Sequence, residues 1–291
     1  MIISNYQSYL ADVKNQSTST VSVYSRHIKK FNRFLYERKK CLENPSEITI
    51  LDIEEFVQLL RNNWCKVNSC NSYLFAIKNF LKYCRIHNIK TIDPSKIIFA
   101  KNEKVKIECS SEEEIHKLIS WLKKAKYDDP ILQMRDLTII YTLLWTGLRV
   151  SELCNLKIED IGEDLTIYGK WWKFRYVPCP TQTLNSIKYY LKIRDIKSSY
   201  VFSSHALNWT WDKLTRNAIW NILQKACKIA WIRRIWPHKL RHTYATLLLK
   251  RWANLFYIQK LLWHSSIDTT QRYLTCFDTD LKKTVELLPS F

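Results

Sequence analysis

Glycine is nearly missing from this 291-residue chain, which holds 3 glycines against 12 tryptophans, although glycine ordinarily supplies about 7% of residues and tryptophan is rare. The nine cysteines (Cys41, Cys65, Cys70, Cys84, Cys109, Cys154, Cys179, Cys227 and Cys276) form no C-x-x-C pair and no finger-like spacing. That argues against a structural zinc module and for reduced, mostly buried thiols in a cytoplasmic protein. No apolar run approaches the roughly 18 residues that cross a bilayer. The N-terminus enters polar sequence at Ser4, Asn5 and Gln7, so neither secretion nor membrane insertion is expected. Internal repeats and low-complexity tracts are also lacking.

Acidic side chains are the minority: 27 Asp and Glu stand against 46 Lys and Arg, a net charge of +19 spread along the chain. A surplus of this kind suits a protein that neutralises phosphates, and it favours nucleic acid as partner over a merely basic soluble protein.

The length favours two domains, each able to bury a core. Up to about residue 88, apolar residues recur at helical spacing: Val21, Tyr24, Ile28, Phe31 and Phe34, then Ile53, Phe56, Val57 and Leu60, then Tyr73, Ala76, Ile77, Phe80 and Leu81. A bundle of about four helices is expected over 1–92. Its Arg26, Lys29, Lys30, Arg33, Lys78, Lys82 and Arg85 either face a phosphate backbone or are an ordinary solvated surface. Residues 93–109 read as a basic linker. The second domain, 110–291, opens on a capping pattern at Ser111 and Glu114. Helices are expected near 132–146, from Arg149, and near 181–194, 212–230, 238–251 and 254–262, with a last one from about Ser266. Two short strands, Leu165–Tyr168 and Phe174–Val177, flank a turn at Gly169 to Lys173. The expected fold is mainly α with one small β-sheet.

Breaking a phosphodiester without a metal or nucleotide requires a nucleophile, cationic donors for the non-bridging oxygens and an acid for the leaving oxygen. In Pro237-His238-Lys239-Leu240-Arg241-His242 the proline suits a first helical turn, and His238 and Arg241, three apart, share a face. The His238/His242 pair also has zinc-helix spacing, but Lys239 stands where a metalloprotease needs glutamate, so no metal site is expected. Upstream lies Thr146-Gly147-Leu148-Arg149-Val150-Ser151-Glu152-Leu153. Downstream, His264 in Leu262-Trp263-His264-Ser265-Ser266 follows Arg241 by 23 residues and precedes Tyr273 by nine.

This set resembles the tyrosine recombinase (lambda integrase) family, most closely its Xer-like and phage integrase members. The family signatures are T-G-L-R-x-S-E-L, G-K-G-x-K, P-H-x-L-R-H, L-G-H-x-S and a following tyrosine. Four of the five match and the fifth matches in part. The resemblance is strong over 111–280 and looser over the helical N-terminal region, which it makes a core-binding (SAM-like) domain ahead of the catalytic domain.

The resemblance implies that Arg149 and Arg241 clamp the scissile phosphate with His238 assisting, and that His264 orients the phosphate or assists the nucleophile. Lys170 would be the general acid, with Lys173 as the second candidate, and Glu152 a structural acid. Tyr273 would attack to leave a 3′-phosphotyrosyl link and a free 5′-hydroxyl, with strand exchange through a Holliday junction and no ATP, metal or other cofactor. The implied partner is double-stranded DNA with paired half-sites, bound by a homo- or hetero-tetramer. Tyr244 and Tyr257, at apolar helical positions, are expected in the core. The segment from Phe277 either docks on a neighbouring protomer or packs on its own domain. A type IB topoisomerase shares this chemistry, and a catalytically inactive DNA-binding derivative is the reading from another class.

The chain departs from the family where Trp171, Trp231, Trp252 and Trp263 stand at positions that relatives usually fill with glycine for backbone reasons, a helix C-cap or a tight hairpin turn. Stacking of Trp171-Trp172 on bases does not account for the other three. The simplest expectation is that the host reads UGA as glycine.

Overall fold

The computed structural model describes the chain except residues 104–107, 170–173, 196, 205–212, 264–266, 272 and 274–291, and the side chains of 267 and 268. It divides into two compact units, Met1–Val105 and Lys106–Phe291.

The first unit is a helical bundle. Helix α1 (Ile2–Ser8) runs into a π-helical turn at Tyr9–Val13 and is followed by α2 (Thr18–Tyr36), α3 (Ile50–Asn62) and α4 (Val67–Ile86). The starts of α2 and α3 are chemically marked. The Ser17 hydroxyl accepts from the Thr20 N–H, and Thr49 and Asp52 cap α3 reciprocally while Lys40 pairs with Asp52 at 2.8 Å. The apolar stripes meet in a core of Ile28, Phe31, Phe34, Phe56, Ile77 and Phe80, with Phe31 and Phe56 rings 5.0 Å apart. The first residues after α4 remain anchored to this unit: Ile97 is buried in the core, and Asn71 both donates to and accepts from the Ala100 backbone. Arg26, Lys29, Lys30, Arg33, Lys82 and Arg85 are exposed, whereas Lys78 is half-buried and donates to the Ile97 carbonyl.

In the second unit, α5 (Glu112–Lys124) begins at the Ser111/Glu114 box. Helix α6 (Pro130–Thr146) is buried nearly all round from Asp136 to Leu144, as suits a central helix, and packs against α5, α8 (Thr181–Ile193) and α10 (Pro237–Lys250). Between them come α7 (Val150–Asn155) and the antiparallel hairpin of β1 (Asp164–Tyr168) and β2 (Phe174–Pro178), in register Leu165↔Val177 and Ile167↔Arg175. Leu165, Ile167 and Val177 point into the core. Helices α9 (Arg216–Ile229), α11 (Leu255–Leu262) and the short α12 (Ile267–Gln271) complete the described order.

Three expectations need correction. Helix α9 begins at Arg216, not near 212, because Lys213 bridges to Ser203 and the Thr215 hydroxyl caps the helix at the Ala218 N–H. Tyr244 is core, but Tyr257 is 63% exposed on α11. Among the described cysteines four are buried (Cys70, Cys84, Cys154, Cys227) and four only partly so. The expected turn at 169–173, apart from Gly169, and the segment from Phe277 lie outside the described residues.

Candidate active site

Gly147 sets the geometry. It ends α6 at φ +63°, and a Cβ there would meet the Tyr244 ring at 2.5 Å, so only glycine combines this left-handed turn with this packing. The turn redirects the chain so that Arg149, just ahead of α7, faces the same region as α10. Pro237 at the first position of α10 and a buried face of Leu240, Arg241, Tyr244 and Ala245 fix that helix against α6.

Arg241 is 3% exposed. Its Nη1 donates to the Gly147 carbonyl at 2.5 Å and its Nη2 to the Leu262 carbonyl. Arg149 Nη2 donates to the next carbonyl, that of Trp263, at 3.3 Å. The end of α11 thus anchors both guanidinium groups on consecutive carbonyls. Burial first, and then the charge of Arg149, push Arg241 down to about 10, which still leaves it cationic at neutral pH. His238 keeps solvent contact. Its ring is held below the ordinary histidine value by partial burial first and then by the charges of Arg241 and Arg149.

Glu152 serves the cations from behind. Its carboxylate accepts from the Arg149 N–H at 2.8 Å and from Arg149 Nη1 at 3.0 Å. It also accepts a two-pronged pair from Arg175 at 2.9 and 3.1 Å. Burial alone would raise this carboxyl, but the Arg175 bonds and charge, with those of Arg149, hold it below the usual range. Two arginines bonded to one carboxylate, with Arg241 beside Arg149, leave the region net positive, which is what an anionic ligand requires.

Tyr273 is 2% exposed and packs with Tyr244, Ile258 and Leu262. Its hydroxyl lies 3.0 Å from His242 Nδ1. The structure therefore brings Arg149, His238, Arg241 and Tyr273 together. Lys170, Lys173 and His264 lie outside the described residues.

Two groups escaped the sequence reading. Arg175 looked like one more polar residue of an alternating strand, and only its register position opposite Ile167, next to Glu152 in space, reveals its role. His242 stands out in the sequence only by its zinc-helix spacing from His238. No cluster of three or more candidate metal ligands occurs among the described residues, and no described helix is long and apolar enough to cross a membrane.

Comparison with known proteins identifies the family. Residues 108–279 match the phage integrase family, and residues 3–88 match the N-terminal SAM-like domain of phage integrases. The tyrosine recombinase XerA of Pyrococcus furiosus is 34% identical over 290 residues, 98% of this chain and 93% of that protein. XerD of Staphylococcus saprophyticus is 30% identical over 291 residues, 97% of this chain and 96% of that protein. A crystal structure of XerA recombinase shares 26% identity at a TM-score of 0.54, covering 100% and 99% of the two chains. A XerH site-specific recombinase bound to a palindromic difH substrate matches in fold, at a TM-score of 0.75 and 21% identity over 97% of this chain and 84% of that one. The chain belongs to the phage integrase family and is a tyrosine recombinase.

Proposed function

We propose that this recombinase cuts and rejoins double-stranded DNA at specific sites in the cytoplasm, using Tyr273 as nucleophile. The Tyr273 Oη attacks the scissile phosphorus, the bond from phosphorus to the 5′-oxygen breaks, and the 3′ end is left as a phosphotyrosyl ester. Arg149 and Arg241 donate to the non-bridging oxygens as negative charge develops, with His238 between them, and His264 orients the phosphate or assists the nucleophile. Lys170 protonates the leaving 5′-oxygen, while His242 Nδ1 is placed to accept the phenol proton. The ester conserves the bond energy, so attack by a 5′-hydroxyl from another duplex rejoins the strands without ATP. Four protomers on two duplexes, each carrying a pair of half-sites, would carry that exchange through a Holliday junction.

One observation carries the proposal: two guanidinium groups held on consecutive carbonyls, with a buried tyrosine just past α12 and a surplus of positive charge. The test is single-turnover cleavage of a nicked suicide duplex, its site selected by binding from the DNA flanking the gene. Arg149→Ala and Arg241→Ala should each retain DNA binding and slow cleavage by about 10²–10³-fold, as removal of a transition-state donor does. Near-normal cleavage by either would remove that arginine from the mechanism.

A further inference from the structure

Seven described residues other than glycine have a positive φ: Asn15, Lys39, Asn88 and the four tryptophans Trp64, Trp231, Trp252 and Trp263, at +58°, +52°, +60° and +50°. Asparagine tolerates the left-handed region, whereas a bulky aromatic does not. The chain holds 16 tyrosines and 11 phenylalanines, and none of the described ones adopts this conformation. The anomaly therefore belongs to tryptophan and not to aromatic residues in general.

All four stand just past the end of a helix, where glycine is the usual residue. After α3, the Trp64 N–H donates to the Arg61 carbonyl and the Cys65 N–H to Leu60; after α9, Trp231 donates to Lys228 and Ile232 to Cys227; after α10, Trp252 donates to Leu249 and Ala253 to Leu248. These are three complete left-handed caps with the paired reverse bonds of the Schellman arrangement. After α11, Trp263 donates to Lys260. Trp64, Trp231 and Trp252 are 95%, 90% and 75% exposed, so their indoles contribute almost no burial to offset the backbone strain. By contrast Trp121, Trp145 and Trp220 lie within α5, α6 and α9, and Trp236 precedes α10 in an extended conformation that any residue adopts.

We propose that Trp64, Trp231, Trp252 and Trp263 are glycine in the protein as its host makes it, the gene's UGA codons at these positions being read there as glycine. Trp171, in the turn beside Lys170, carries the same expectation from sequence and lies outside the described residues; Trp64 is added by its geometry. The position with a functional consequence is 263. Its carbonyl receives Arg149, its neighbour's carbonyl receives Arg241, and its ring sits 4.8 Å from the Arg175 guanidinium. Glycine would keep both carbonyls in place and remove the indole from beside the Arg175–Glu152 pair.

The direct test is mass spectrometry of the protein isolated from its own host, read beside the gene. Peptides covering 64, 231, 252 and 263 should carry the mass of glycine, with UGA at those codons and UGG at 121 and 220. Tryptophan in the native peptides, or UGG at the four positions, overturns the proposal. A second measurement compares purified forms of the full chain made in a conventional host. Trp231→Gly, Trp252→Gly and Trp263→Gly should each raise the melting temperature by about 2–4 °C, whereas Trp121→Gly and Trp220→Gly, in helix interiors, should lower it. If the tryptophan form fails to fold and the glycine form folds, the proposal is supported. Equal or lower stability of the three glycine forms contradicts it.

Discussion

His242 Nδ1 lies 3.0 Å from the Tyr273 hydroxyl, a contact that joins α10 to the residue two past α12 across 31 positions of sequence. A phenol with a reference pKa near 10 is a poor nucleophile at neutral pH, and an imidazole in contact with it gives the proton a destination. His242→Ala is expected to bind DNA normally and to cleave about 10²-fold more slowly or worse, the usual scale of general-base loss. Its cleavage rate should also climb with pH more steeply than that of the unaltered enzyme, as hydroxide takes over. An unchanged rate and pH profile on a suicide duplex would reduce the contact to packing.

The pair of Arg175 and Glu152 is nearly enclosed, with side-chain exposures of 10% and 8%. Removing the arginine leaves a buried carboxylate with only Arg149 to compensate it. Arg175→Ala is therefore expected to destabilise the protein by about 3–5 kcal/mol, the range for breaking a buried pair from one side. Arg175→Met combined with Glu152→Gln should lose less than the two single changes added together. Urea unfolding of the unaltered protein, Arg175→Ala, Arg175→Met, Glu152→Gln and the double variant checks both statements, and strict additivity would show that the two side chains do not act as a unit.

His238 supplies a pH dependence. Its folded-state value lies below its ordinary one, so between that depressed value and about 6.5 the unfolded chain binds more protons than the folded one. Its contribution is constant above about 6.5 and is lost as the pH falls below it. Because the ring keeps solvent contact, the loss should stay under about 1 kcal/mol. Melting temperatures of the DNA-free protein between pH 7 and pH 5 should fall more steeply than those of His238→Asn. Parallel curves would mean that Arg149 and Arg241 do not act on this ring.

Much of this architecture is legible in the residues. Ser111 and Glu114 announce the start of α5, Pro237 that of α10, and the alternation of Leu165 and Ile167 the strand β1, because caps and periodicity act within a few residues. Tyr257 shows the limit: helical spacing places it with apolar neighbours, yet α11 is a surface helix whose buried side is Ile258 and Leu262. Arg149, Arg241 and Tyr273 are legible only through the resemblance to the family's motifs, since nothing local distinguishes such an arginine from a surface one. Arg175 and His242 were missed because their partners, Glu152 and Tyr273, lie 23 and 31 residues away, and such pairs exist only once the chain is folded.

The proposed mechanism requires Tyr273 to form the covalent bond to DNA. The measurement is recovery of a protein–DNA adduct from a nicked suicide duplex, followed by digestion to identify the modified peptide. The unaltered enzyme should yield an adduct on the peptide containing Tyr273, and Tyr273→Phe, which lacks only the attacking oxygen, should bind the duplex and yield none. An adduct formed by Tyr273→Phe, or one mapped to Tyr244 or Tyr257, would contradict the account.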